Sequence, residues 1–344
     1  MPAPLTPAEV RAAANTLPRA PLAHLPTPFE EIPRFAARIG GGVRVFIKRD
    51  DCTGLLLGGN KARHNEFLIG DAIASGCDMF VWGASVQSNN CRQTAAGCAK
   101  NGLECRLYLS TAGGYRTEPQ GNLLLDYLVG AKVEFTPAPI GPELNAVLAA
   151  KAAEFRAAGR KPYFWDPPRV VPLSAVSYAV CMAEIAEQTA ASGIKPSALY
   201  VSSAGATGAG VALGKKLLGL DYPTRLICPI TWPWHIPTRM AEDANAAAER
   251  MGLPHRLTPD EIDADENYVA PGYGSPSAAG REALNLLATT EAILLDPVYT
   301  AKALAALIAD VRAGKYAPGS AIVFIHTGGI PAVFAEPEKV LPMA

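Results

Sequence analysis

The 344-residue sequence has no uninterrupted run of eighteen apolar residues, and Met1 to Ala20 contains no apolar segment of the kind a signal peptide needs. A membrane span and a leader are therefore not expected, and the chain reads as soluble and cytoplasmic. Charge of one sign is equally scarce. The 31 Lys and Arg oppose 32 Asp and Glu, so no basic field invites a nucleic acid. Seven cysteines, at 52, 77, 91, 98, 105, 181 and 228, form no CxxC pair and no Cys/His spacing that would grip zinc. They read as small buried hydrophobes of a reducing compartment, and no metal is expected. Proline and glycine are plentiful but dispersed, so no linker, low-complexity stretch or internal repeat divides the chain.

What is present is an alternation of short apolar runs and helical patterns. Met79–Trp82, Cys105–Leu109, Lys132–Phe135, Ala198–Val201, Leu226–Cys228 and Ile322–Ile325 read as strands. Between them lie helical stretches such as Lys61 to Ser75, closed by Gly76, and Asn89 to Lys100, closed by Asn101-Gly102. Strand–helix alternation of this spacing predicts an α/β protein with open, doubly wound parallel sheets. At this length one large domain or two of ordinary size are expected. The polar stretch Ser110 to Gln120 reads as an exposed excursion.

Five segments could carry chemistry. The first is Gly58-Gly59-Asn60-Lys61, which ends where an amphipathic helix begins. A lysine at a helix mouth, screened from water, is more readily neutral and nucleophilic than a surface lysine, which suits a Schiff base. Alone, a lysine behind a Gly-Gly turn also has an ordinary structural explanation. Gln87-Ser88-Asn89-Asn90 follows an apolar strand and places Ser88 or Asn89 to cap the next helix, leaving free N–H groups and amides for a carboxylate. Ser202-Ser203-Ala204-Gly205-Ala206-Thr207-Gly208 follows another strand and is neither GxGxxG nor GxxxxGK[ST]. Its small residues let backbone amides close around a monophosphate. His326-Thr327-Gly328-Gly329 could bring the Thr327 hydroxyl to the edge of a bound ring. Asp296-Pro297-Val298-Tyr299-Thr300, with Tyr273 on a turn upstream, supplies two phenols able to move protons. Trp232-Pro233-Trp234-His235 lies between a strand and a helix and either lines a pocket or caps the core.

The runs IKRDDCTG, GGNKAR, QSNN, RQTAA, DPVYT and IHTGG, in that order, resemble the pyridoxal-phosphate enzymes that include D-cysteine desulfhydrase and 1-aminocyclopropane-1-carboxylate deaminase. These belong to the tryptophan-synthase-β group, fold type II. The resemblance implies two open twisted α/β domains with pyridoxal 5'-phosphate in the cleft between them, residues 1–62 plus 176–344 forming the large domain and 63–175 the small one. It implies a homodimer acting on a small amino acid. It carries Lys61 over as the lysine that holds the cofactor, with Asn60 beside it, and Ala204, Gly205, Ala206, Thr207 and Gly208 as the phosphate cup. Asn89 and Thr327 fall at the ring, Ser88, Asn89, Asn90 and Gln87 at the substrate carboxylate, and Tyr299 and Tyr273 at the leaving group.

Within that group, Thr300 stands where the cyclopropane deaminases have a glutamate for the pyridine nitrogen, and Thr327 where they have a leucine. A hydroxyl stabilises a protonated ring less than a carboxylate does. The resemblance therefore favours β-elimination, with D-cysteine giving pyruvate, ammonia and sulfide, over ring opening of a cyclopropane. Asn90 departs from the histidine usual in the desulfhydrases, and Ala204 and Ala206 replace hydroxyl residues of the deaminases. Competing expectations are a lyase on cysteate or a chloroalanine, with Arg116 or Arg169 meeting an anionic head, a cyclopropane deaminase, and a binding protein that has lost catalysis.

Overall fold

The computed structural model describes residues 2–337, 340 and 341. The strands run β1 Phe29–Glu31, β2 Arg44–Arg49, β3 Met79–Ser85, β4 Glu104–Ser110, β5 Lys132–Thr136, β6 Pro162–Phe164, β7 Pro196–Ser202, β8 Thr224–Ile227, β9 Ala264–Asp265 and β10 Ala321–His326. They form a six-stranded sheet in the order β1-β2-β10-β7-β8-β9 and a four-stranded sheet in the order β5-β4-β3-β6. All pairings are parallel except β1 with β2. Every apolar run read as a strand lies in one, save for Cys228, which falls one residue past the end of β8. β1, β2, β6 and β9 escaped that reading, β2 because its RVFIKR carries three cations. Yet Lys48 of β2 is fully buried, opposite Ile325.

The domain limits drawn at 62/63 and 175/176 both fall inside helices, Lys61–Ala74 and Pro167–Ala191. Pro167–Ala191 is long and apolar enough to cross a membrane, but 83% of its most apolar window is buried inside the protein. It is a central core helix.

Beneath the Lys61 helix lies a closed ionic cluster. Arg63 bonds Asp50 and both oxygens of Glu184, Lys48 Nζ bonds Glu184 at 2.9 Å and Thr27 O at 2.9 Å, and Tyr178 donates to Asp50 at 2.6 Å. Two cations match two anions there, and each has hydrogen-bonded partners, the condition under which buried charge is tolerated.

Asp126 is the opposite case. It is fully buried, and among the described residues neither carboxylate oxygen has a hydrogen-bond partner. Burial pushes its pKa well above the usual range, against the opposing pull of Arg92. A carboxyl with a raised folded pKa lowers stability progressively as pH climbs past its unfolded value of about 4. Asp126→Asn is therefore expected to melt higher than wild type at pH 8, with the gap closing toward pH 4. Thermal melts across that range check it.

Candidate active site

The carboxyl ends of β2, β3, β7, β8 and β10 deliver their following loops to one cavity of about 440 Å³, the place where open α/β sheets bind ligands. Lys61 enters it as the first residue of its helix, after a bend of unusual backbone. Leu56 and Leu57 have φ of 40° and 65°, and Gly58 and Gly59 have φ of 66° and 121°. Side chains at the two glycines are excluded, since a Cβ on Gly58 would lie 1.8 Å from Asp51 O and one on Gly59 2.4 Å from Gln93 Nε2. The strain is held from outside. Arg92 donates to Leu56 O and to Gly58 O, Gln93 Nε2 donates to Gly58 O at 2.6 Å, and Asn60 N donates to Thr327 O at 2.9 Å. The RQTAA run thus acts as the clamp on the lysine loop.

Among the described residues the Lys61 amine makes no hydrogen bond or ion pair, and desolvation pulls its pKa down to about 8. A cofactor aldehyde reacts only with the neutral amine. Cofactor uptake by the cofactor-free protein is therefore expected to accelerate between pH 7 and 9 with a midpoint near 8. A midpoint near that of an ordinary lysine, about 10.4, would show that the amine is not desolvated. The growth of the visible band after mixing at each pH measures it.

One turn along, His64 Nε2 lies 3.2 Å from Thr207 Oγ1, and Asn60 Nδ2 donates to the same hydroxyl at 3.0 Å. Burial, with Lys61 and Arg63 nearby, holds His64 well below its usual pKa and so neutral.

The expected phosphate cup begins where β7 ends at Ser202, and the next helix starts at Ala206 with Gly205 as an N-cap that has no side-chain partner. The N–H groups of Gly205 and Gly208 donate to Ser203 Oγ at 3.3 and 2.8 Å, which leaves those of Ala206 and Thr207 for a ligand, and nothing lies within 4 Å of where a Gly205 Cβ would be. Ala204, Gly205, Ala206 and Thr207 line the cavity. Gly208 does not, and its N–H donates to Ser203 Oγ at 2.8 Å. These residues fit a phosphate monoester, and Lys61 fits its aldehyde.

Across the cavity Ser88 caps the Asn89–Lys100 helix, accepting from the N–H groups of Asn90 and Cys91 at 3.1 Å each. Ser88, Asn89 and Asn90 line the cavity, whereas Gln87 turns away: its amide donates to Gln120 O at 3.1 Å and accepts from Asn122 N at 2.9 Å. Gln87 shapes the loop from behind.

Tyr273 and Tyr299 line the cavity with their hydroxyls in contact. Asp296, which the sequence did not single out, accepts from the N–H groups of Val298, Tyr299 and Thr300 and so aims Tyr299. Thr300 is spent on the same carboxylate, its hydroxyl 2.7 Å from Asp296 Oδ1, and is fully buried away from the cavity. The expected ring-side hydroxyl is therefore Thr327, which does line it.

The outer wall carries Trp232 stacked on Trp234 at 4.9 Å, and Arg239 with its ion-pair partner Asp243, whose pKa burial raises to about 6. The Trp232–Trp234 cluster lines the pocket. Arg169 is instead paired with Asp71 at 2.8 Å, and neither it nor Arg116 is among the lining residues, whereas Arg239 is.

This chain belongs to the pyridoxal-phosphate-dependent enzymes, whose family model matches residues 21–328. A D-cysteine desulfhydrase of Salmonella choleraesuis (strain SC-B67) is 38% identical over 323 residues, 92% of this chain and 96% of that protein. A solved structure described as an ACC deaminase homologue superposes with a TM-score of 0.86 at 32% identity, covering 96% of this chain and 98% of its own. An O-ureido-L-serine synthase at 16% identity and TM-score 0.64, covering 96% of each chain, shares the fold. The fold class and the cofactor read from the sequence are those of this family.

Proposed function

We propose that this enzyme is a lyase that removes the β-substituent of a small amino acid, and that D-cysteine, yielding pyruvate, ammonia and sulfide, is its substrate. The observation that carries the reading is the convergence on one cavity of the unpaired Lys61 amine, the capped Ser88–Asn90 helix start and the touching phenols of Tyr273 and Tyr299. The desulfhydrase relative supports the choice of substrate. Pyridoxal phosphate, when bound, supplies the electron sink for loss of the Cα proton.

The chain's own residues do the rest. Ala204 to Thr207 would hold the phosphate by backbone N–H groups, with Asn89 at the ring hydroxyl and Thr327 at the ring edge. Ser88, Asn89 and Asn90 hold the substrate carboxylate at the helix start. The Lys61 amine, freed by the substrate, takes the Cα proton, for which its lowered pKa fits it. Burial raises both phenols, so Tyr273 and Tyr299 keep their protons at neutral pH and can give one to the departing sulfur. Among the described residues no glutamate lines the cavity, in keeping with elimination over ring opening.

The same reading includes a homodimer and a cytoplasmic setting. Leu124, Tyr127 and Leu128 on one helix and Phe334 on the 3-10 turn packed against it are exposed, an apolar face suited to a second copy. All seven cysteines are thiols, as a reducing compartment keeps them. Sedimentation tests the dimer. A kcat/KM panel of D-cysteine, L-cysteine, cysteate and 1-aminocyclopropane-1-carboxylate tests the activity. D-cysteine should rank first. Release of 2-oxobutyrate from the cyclopropane at a higher kcat/KM would overturn the reading in favour of a deaminase.

A further inference from the structure

A second cavity, of about 470 Å³, adjoins the first and shares Ile140, Ile230, Trp232 and Tyr273 with it. Its rim residues Gly113, Gly114, Pro139, Thr231 and Pro233 are exposed. Between the two cavities stands a line of hydroxyls, of which the reaction as described uses Tyr299 and Tyr273 but not Ser85 or Tyr115. Tyr299 touches Tyr273, and the Ser85 hydroxyl acts on both Tyr273 and Tyr115, lowering the pKa of each phenol. Ser85 is the last residue of β3 and is 4% exposed, so it is fixed by the sheet. Tyr115 sits on the excursion after β4 and lines the second cavity. Room for its ring comes from Gly274, whose φ is +79° and where a Cβ would lie 2.7 Å from Tyr115 Oη. Tyr299 and Ser85 line the first cavity, Tyr115 the second, and Tyr273 both.

We infer that Tyr299, Tyr273, Ser85 and Tyr115 form a proton wire that recharges the acid of the reaction from the second cavity, with Tyr115 as its solvent end. The inference rests on the β-elimination reading. Cofactor and amino acid would occupy the first cavity, which Tyr299 lines, so the second cavity offers the acid a separate route to solvent. Each turnover transfers one proton from Tyr299 Oη to the departing sulfur. Tyr299 regains it from Tyr273, Tyr273 from Ser85, Ser85 from Tyr115, and Tyr115 from water or buffer. At every link one O–H bond breaks and one forms, and a hydroxyl can both donate and accept. Burial raises the pKa of all three phenols, so the wire is fully protonated at neutral pH and ready to deliver. Ser85 and Tyr115 are positioning residues, acting through the pair that faces the substrate.

The test uses cofactor-loaded wild type, Tyr115→Phe and Ser85→Ala with two substrates. The departing HS⁻ needs a proton to leave as neutral hydrogen sulfide, whereas chloride from β-chloro-D-alanine does not. Loss of the wire should lower kcat on D-cysteine by about tenfold or more, with KM unchanged and little change on β-chloro-D-alanine. Added imidazole, a small proton carrier, should restore kcat in Tyr115→Phe and leave wild type unaffected. Equal losses on both substrates, or a loss that imidazole does not mend, would overturn the wire, as would wild-type kcat in both variants. If wild type eliminates from neither substrate, the β-elimination reading fails, and the wire is then judged by pH-jump absorbance near 295 nm in the loaded protein. The phase missing from Tyr299→Phe should slow about tenfold in Tyr115→Phe, and an unchanged rate overturns the wire.

Discussion

Lys61→Ala should lower turnover by about 10⁴-fold or more, because one side chain serves as both the cofactor's attachment point and the base. The fold should survive the change. The Lys61 amine has no hydrogen-bond or ion-pair partner among the described residues, and its lowered pKa marks an ammonium that folding disfavours. Its removal therefore leaves stability unchanged or slightly higher at pH 7. The cup of Ala204 to Thr207 and the Asn60–Thr207 bond involve other atoms, so affinity for inorganic phosphate should also be kept. Single-turnover kinetics, a urea midpoint and a phosphate titration on the same preparation separate these effects. Appreciable turnover, or a collapsed fold, would contradict the role given to Lys61.

Arg63→Met should cost about 3–5 kcal/mol of stability, the usual consequence of removing one partner from a buried charge set. Arg63 is 1% exposed and donates to Asp50 and to both oxygens of Glu184. Without it Lys48 alone faces two buried carboxylates. Desolvation would raise the pKa of both, but Arg63 and Lys48 prevail and hold Asp50 and Glu184 below the carboxylate range. A depressed carboxylate contributes stability above its unfolded pKa of about 4 and loses it as pH falls through the folded value. The gap between wild type and Arg63→Met should therefore be full at pH 7 and shrink below pH 4. Neutralising both acids with Asp50→Asn and Glu184→Gln should recover part of the loss. A cost under about 1 kcal/mol, read from urea midpoints, would mean that the cluster is not a closed unit.

These two predictions concern residues of very different visibility in the sequence. Lys61 was legible because glycines and a helix start frame it within a few positions. Local order of that kind also revealed the Ser88 cap, the Ala204–Thr207 loop and six of the strands. Arg63 and Lys48 were not legible, since charged side chains default to the surface and their partners lie 121 and 136 residues away. β2 stayed hidden for the same reason. Gln87 and Thr300 were misplaced because side chains close by in space claim them: Asn122 takes the Gln87 amide, and Asp296 takes the Thr300 hydroxyl. Arg239 and Asp243, four apart on an amphipathic helix, look in sequence like any solvated ion pair. Only the fold shows that the pair faces the cavity. Tyr115 lies in a stretch whose composition signals nothing but exposure, and its tie to Ser85 arises from the pairing of β3 with β4.

The most direct measurement is the release of sulfide and pyruvate when D-cysteine is added to purified, cofactor-loaded protein, with Lys61→Ala in parallel. Equal amounts of the two products from wild type, and neither from the variant, are the predicted result. A protein that carries the cofactor on Lys61 yet leaves D-cysteine intact would contradict the assigned reaction.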